Sequence, residues 1–325
     1  MIKITQTNTY LENFTKLLKT CLYKELKKTI EQKKVLKPKG GIEVDSLDSS
    51  DIECLKYLKL NIENIVNSDI DKQKEFIKVI KKDYPDIAKK YNKNGKKPNI
   101  YKAVKYIFVD RGYEAKISTI TDNSIAYKLV ESLDLKTCHY CNRNYISYLR
   151  KDINGKKQTR PQLDHFYPKA IYPFLACSFY NLIPSCTTCN HIKSDDDSYH
   201  KQLKSPYEID LKDFVFSYTL NNLDISNNKF QNNESINIIF DKKIEANEEC
   251  FQLEKLYKEH KDVVLELLIK KAYYPHSYIK ELKNFGFSED EIYRYLFSNY
   301  KNDEDLHKRP LSKLIKDISE ELKLI

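Results

Sequence analysis

Four of the eight cysteines stand in two C-x-x-C pairs, Cys138/Cys141 and Cys186/Cys189. Each pair offers two thiolates at a spacing that lets both reach one tetrahedral ion at about 2.3 Å, so the two pairs together make the ligand set of a structural zinc. Buried free thiols are the alternative, and the doubled spacing argues against them. Between the pairs lie Leu163-Asp164-His165 and Asn181, and Asn190 follows the last cysteine directly. An imidazole, a carboxylate and two carboxamides suit proton transfer and the binding of a hard cation, work that a plain zinc module does not need.

The same cysteines would be disulfides in an oxidising compartment. Met1 to Gln6 shows neither an apolar h-region nor a cleavage site, and no stretch approaches the roughly 18 apolar residues of a membrane span. A cytoplasmic protein with no membrane partner is expected, and there paired C-x-x-C motifs are metal sites. Cys21, Cys54, Cys177 and Cys250 stand alone among apolar residues and read as small buried hydrophobes. The net charge of +9 comes from 50 Lys and only 6 Arg in a chain also rich in Asn, Ile and Tyr, as an AT-rich coding sequence would produce, so charge alone does not assign a nucleic-acid partner. Arg placement says more: Arg143, Arg150 and Arg160 fall in the motif region, and Arg matches phosphate oxygens bidentately.

A chain of 325 residues allows about two domains. From Thr9 to Leu135 the pattern is helical: Phe14, Leu17, Leu18, Cys21 and Leu22 recur at helical spacing, as do Leu55, Leu58, Ile62 and Ile65 after a cap at Ser50. Polar breaks at Lys37 to Gly41 and Asn92 to Pro98 separate these helices, and a further helical run from Ile100 to Val109 leads through Gly112 to the motifs. There, Cys138 to Tyr148 reads as a knuckle opening into a strand, Asn154-Gly155 as its turn and Gln162 to Phe166 as the returning strand; Phe179 to Leu182 begins a helix or loop, and a second knuckle at Cys186 to Lys193 starts a helix. Phe214 to Tyr218 and Ile236 to Phe240 predict a hairpin around an Asn-rich loop. Helices follow from Phe251, from a capping box at Ser288/Glu291 and after Pro310. The fold class is therefore α+β and mostly helical, divided as 1–135, 136–205 and 206–325.

The order C-x-x-C, L-D-H-x-x-P-K, Asn, C-x-x-C-N-x-x-K resembles the HNH endonuclease family, on Cys138, Cys141, Asp164, His165, Pro168, Lys169, Asn181, Cys186, Cys189, Asn190 and Lys193. His165 to Asn181 spans 16 positions and Asn181 to Asn190 spans 9, close to that family's intervals. The resemblance covers about 60 residues and departs from the family's name by carrying Asn190 where the second H would stand. It implies a ββα-metal finger with structural zinc, set between helical regions and followed by the hairpin insertion. It also implies a DNA phosphodiester hydrolase. His165 would be the general base, Asp164 and Asn190 the ligands of a catalytic Mg²⁺ or Mn²⁺, and Asn181 the residue that holds the loop between the second strand and the helix so that His165 is aimed. Arg160, Lys169 and Lys193 would contact flanking phosphates. More loosely, the chain is similar to HNH components of bacterial phage-defence systems, which implies antiviral defence beside an ATPase partner.

Neighbouring residues compete for some of these places. His191 lies one position beyond the expected one, which turns it off the helix face Asn190 uses. His139 is superfluous once four cysteines close the tetrahedron. Asp195, Asp196 and Asp197 read as solvated acids that favour a helix N-terminus. A different class of function is a zinc-ribbon-like module binding nucleic acid or protein without cutting; such a ribbon has no use for the Asp164-His165 pair.

Overall fold

The computed structural model describes residues 1–5, 9–35, 45–88, 97–119, 124–149, 159–221, 234–274 and 276–324. Arg150, the Asn154-Gly155 turn, the Lys37 to Gly41 break and nearly all of the Asn92 to Pro98 and Asn-rich loops fall outside them. The chain is α+β and mostly helical, with two two-stranded antiparallel sheets among the described residues. No helix among these residues is long and apolar enough to cross a membrane. Two units form, one from 6–134 and 147–207, the other from 1–5, 135–146 and 208–325.

The first unit carries most of the motif region. Its helix α1 (Leu11–Gln32) buries Phe14, Leu18, Leu22 and Leu26, one residue per turn, while Leu17 is turned out and 51% exposed. Helix α2 (Ser49–Leu60) starts one residue before the expected cap, because Asp48 and Asp51 make a reciprocal capping box. Helices α3 (Ile62–Asn67) and α4 (Ile70–Asp83) follow, the latter capped by Asp69 on Lys72 N at 2.9 Å. The run beginning at α5 (Asn99–Val104) does not stop before Gly112. It continues as a π-helical segment, Lys105–Ile117, closed by Ser118 N donating to Tyr113 O five residues back. The Cys177 thiol donates to Phe108 O at 3.0 Å, and a Cβ on Gly112 would lie 2.5 Å from that sulfur. A side chain seated in the ladder is a recognised cause of such irregularity, and only glycine leaves room for it here. Helix α6 (Ile125–Leu133), capped by Ser124, ends at a left-handed Asp134.

The strand pairing differs from the expectation. Strand β1 (Gln162–His165) pairs antiparallel with β2 (Leu182–Ser185), His165 facing Leu182 and Gln162 facing Ser185. The segment ending at Tyr148 does not pair with β1, because its hydrogen bonds are used locally around the first cysteine pair: Cys138 N donates to Asn144 O and Ile146 N to Lys136 O; of the expected hairpin the described residues keep one isolated antiparallel bridge, Leu149 with Thr159. β2 was concealed by its brevity and by Pro184, a residue that cannot donate to a ladder. Helix α7 (Thr187–Lys193) follows β2 with Cys186 as its N-cap. The expected returning strand thus exists as β1, but its partner is β2, at the end of the segment expected to begin a helix or loop, and the order β1, β2, α7 replaces the expected one. The three acids after Lys193 follow the C-terminus of α7, not an N-terminus.

In the second unit β3 (Val215–Leu220) and β4 (Ile236–Lys242) form the expected hairpin. Helices α8 (Glu245–Phe251), α9 (Leu253–Tyr257), α10 (Lys261–Tyr273), α11 (His276–Asn284), α12 (Glu289–Phe297) and α13 (Ser312–Glu321) complete it, with Ser288 and Glu291 boxing the start of α12. Phe216, Ile236, Tyr257, Leu267, Ile292 and Leu314 meet in one apolar cluster. The buried Lys313–Asp317 pair is tied to β3, where Phe216 N donates to Asp317 at 2.9 Å.

Candidate active site and metal centre

Each cysteine pair is a turn whose backbone points at its own sulfur. In the first, Asn142 N donates to Cys138 O at 2.6 Å and Arg143 N to Cys141 Sγ at 3.4 Å. Asn142 takes the left-handed conformation, φ 50°, and is fully buried. Its amide nitrogen donates to Thr137 Oγ1 and Leu306 O, both at 3.1 Å, and its oxygen accepts from Lys313 N at 3.0 Å. Tyr257 Oη donates to Cys141 O. In the second pair, Cys189 N donates to Cys186 Sγ at 3.4 Å and Asn190 N to Cys186 O at 3.1 Å. N–H groups directed at sulfur favour the thiolate over the thiol.

The four sulfurs lie within 4.8 Å of one another and all four residues are buried. Tetrahedral zinc with bonds of about 2.3 Å needs sulfurs about 3.8 Å apart, so this all-thiolate donor set fits such an ion. His139 is outside the set. It is buried, its Nδ1 donates to Thr137 O at 3.0 Å, and burial pushes its imidazole down to about 3. Of the lone cysteines, Cys54, Cys177 and Cys250 are buried as expected and Cys21 is half-buried.

The motif residues of β1 and α7 line an open cavity of about 450 Å³, among them Asp164, His165 and Asn190, together with Arg160, Lys169 and Tyr113. His165 is 7% exposed and Nε2 lies 3.1 Å from Ala176 O. A carbonyl can only accept, so Nε2 carries the proton and Nδ1 keeps its lone pair. Burial, then the Lys169 charge, depress its pKa to about 3, against the opposing Ala176 bond; the ring is neutral at pH 7. The Tyr113 ring meets the imidazole edge to face, centroids 4.4 Å apart and planes at 68°.

Asn181 is fully buried and saturated. Its oxygen accepts from Tyr167 N at 2.7 Å, and its nitrogen donates to Tyr167 O at 3.1 Å and Leu175 O at 3.0 Å. It thus ties down the loop between β1 and β2, the loop that also presents Ala176 to His165. On the sequence reading this loop lay between the second strand and the helix. Asn190 donates its amide to Gln162 Oε1 at 2.7 Å, which leaves its oxygen as the end able to meet a cation.

Lys193 is the clearest departure. Expected as a phosphate contact, its ammonium is wholly buried, 3.2 Å from Asp164 and 2.8 Å from His165 O. No substrate reaches it; it orients Asp164 and the end of β1. Of the three arginines, Arg160 lines the cavity, held by Pro161 O at 3.1 Å and Ser118 O at 3.3 Å. Arg143 instead bonds His260 at 2.9 Å. Lys169 lines the cavity and pairs with Glu114 at 2.6 Å.

Sequence reasoning missed Tyr113, Glu114 and Ala176, which lie outside or between the motif positions. It also separated Asn190 from His191, yet both line the cavity, as do Ser194 and Asp195. The three acids have three fates: Asp195 at the cavity, Asp196 paired with Lys201 at 2.8 Å, and Asp197 accepting from Tyr172 Oη at 2.9 Å. No family model, curated protein or solved structure matched the chain.

Proposed function

We propose that this chain is a metal-dependent HNH endonuclease hydrolysing DNA phosphodiester bonds, with a structural zinc on Cys138, Cys141, Cys186 and Cys189. The observation that carries the reading is His165: a buried, neutral imidazole with Nε2–H fixed on Ala176 O and Nδ1 free to take a proton, in one cavity with Asp164, Asn190 and two cations. A base so oriented can accept the proton of an attacking water without first losing one of its own. Asp164 and Asn190 are the residues that would hold Mg²⁺ or Mn²⁺, hard oxygens being what such ions select. When bound, that ion supplies charge to offset the phosphoryl oxygens. Lys193 keeps the Asp164 carboxylate in place. Arg160 and Lys169 offer the positive edge on which the DNA backbone would rest.

The test is cleavage of supercoiled plasmid by purified protein with Mg²⁺, Mn²⁺ or EDTA, and by His165→Ala. Cleavage is expected to require the divalent ion and to fall by about 10²–10⁴-fold in the variant, the contribution of a positioned general base. A folded, zinc-loaded wild type that binds DNA and never cuts it would favour a binding module.

A further inference from the structure

Two partners of Lys169 come from adjacent residues of the π-helical segment, outside the motifs that carry the nuclease reading. Its ammonium lies 4.5 Å from the centroid of the Tyr113 ring and 2.6 Å from Glu114 Oε1. The two contacts differ in kind. Tyr113 is buried and packed against His165, so the ring is a fixed face. The Glu114 side chain is 47% exposed and that of Lys169 35%, so their ion pair sits in water at the cavity's edge. Such a pair is weak and readily exchanged, whereas a cation over an aromatic face keeps its remaining N–H donors free for another acceptor.

We propose that Tyr113 and Glu114 are positioning residues for the nucleic-acid backbone: Tyr113 holds the Lys169 ammonium at the cavity, and Glu114 occupies the phosphate's place on it until a phosphodiester displaces the carboxylate. The inference rests on the nuclease reading only in taking a phosphodiester as the ligand. Glu114 is then an internal competitor, an acid whose removal improves binding, and its effect requires Lys169.

The experiment measures anisotropy of a labelled DNA duplex titrated with the full-length, zinc-loaded protein, no other divalent ion added. Wild type is compared with Glu114→Gln, Lys169→Gln and the double variant. Glu114→Gln is expected to tighten binding by about two- to fivefold, the range of an exposed ion pair, and to do little once Lys169 is Gln. Tyr113→Phe, which keeps the ring face, is expected to bind as wild type does, and Tyr113→Leu more weakly. Equal tightening by Glu114→Gln in both backgrounds would mean a general loss of negative charge and would overturn the assignment. So would Tyr113→Phe binding as weakly as Tyr113→Leu, or wild type binding no DNA. If Tyr113→Leu does not fold, the Glu114/Lys169 cycle decides alone. Plasmid cleavage assayed separately distinguishes the two readings: coupling without cleavage overturns the nuclease and leaves this assignment standing, and cleavage without coupling does the reverse.

Discussion

As the base of the proposed nuclease, His165 would be unusual: burial keeps the ring neutral, though it lowers its basicity as well. An imidazole near its ordinary pKa of 6.5 would lose activity as the pH falls through that value; here protonation is deferred to about 3. A divalent ion bound beside Asp164, as proposed, would push in the same direction. The acid limb of kcat/KM should therefore lie well below 6.5, and a midpoint at or above that value would contradict the environment described. Lys193 makes the complementary point about charge. Its ammonium and Asp164 are 0% and 4% exposed, so neither can be relaxed by water when its partner is lost. Lys193→Met should destabilise the fold by about 3–5 kcal/mol in urea titration, the cost of a buried charge left alone. A value near zero would mean that water reaches Asp164. Asp164 and His165 were legible as a pair because their types are rare in that context. The burial of Lys193 was not, since its neighbours in sequence do not reveal that the end of α7 lies over β1.

Among the elements, the π-helical segment has the least obvious origin, and it brings Tyr113 to the cavity. It presents Tyr113 and Glu114 because the ladder is widened where Cys177 meets Phe108 and Gly112. Gly112→Ala should cost about 1–3 kcal/mol, as overpacking does. The Gly112→Ala/Cys177→Ala double variant should recover part of this, and a strictly additive pair would show that the sulfur is not the obstacle. At the other side of the cavity, Ser194 ends α7 at φ 46°, ψ −126°, a conformation costly for any residue with a Cβ. The short strand β2 escaped a reading based on alternation because all four of its residues are buried, so no polar face marks its period. The hairpin β3/β4 and the start of α12 were legible, the first from apolar segments flanking an Asn-rich loop and the second from a capping box complete within four residues.

At the scale of the whole molecule, the four cysteines join positions 138 and 189 in one group of sulfurs. Purified protein should carry one zinc per chain, measured by a metal-sensitive dye after denaturation. Cys138→Ser and Cys186→Ser should each abolish it and lower Tm, since metal binding free energy is folding free energy where the site forms only in the folded state. Zinc retained in both variants would dismiss the four-sulfur site. What the sequence determined by itself were the features whose chemistry is local: the C-x-x-C spacing, the Asp164-His165 adjacency, the capping box, and the apolar periodicity of a mostly helical α+β chain. The tertiary structure alone decided that β1 pairs with β2, that Lys193 faces inward, and that Tyr113, some fifty residues before His165, packs against it. Those outcomes depend on which distant surfaces bury one another. That is set by the packing of whole elements, and no window of neighbouring residues contains it.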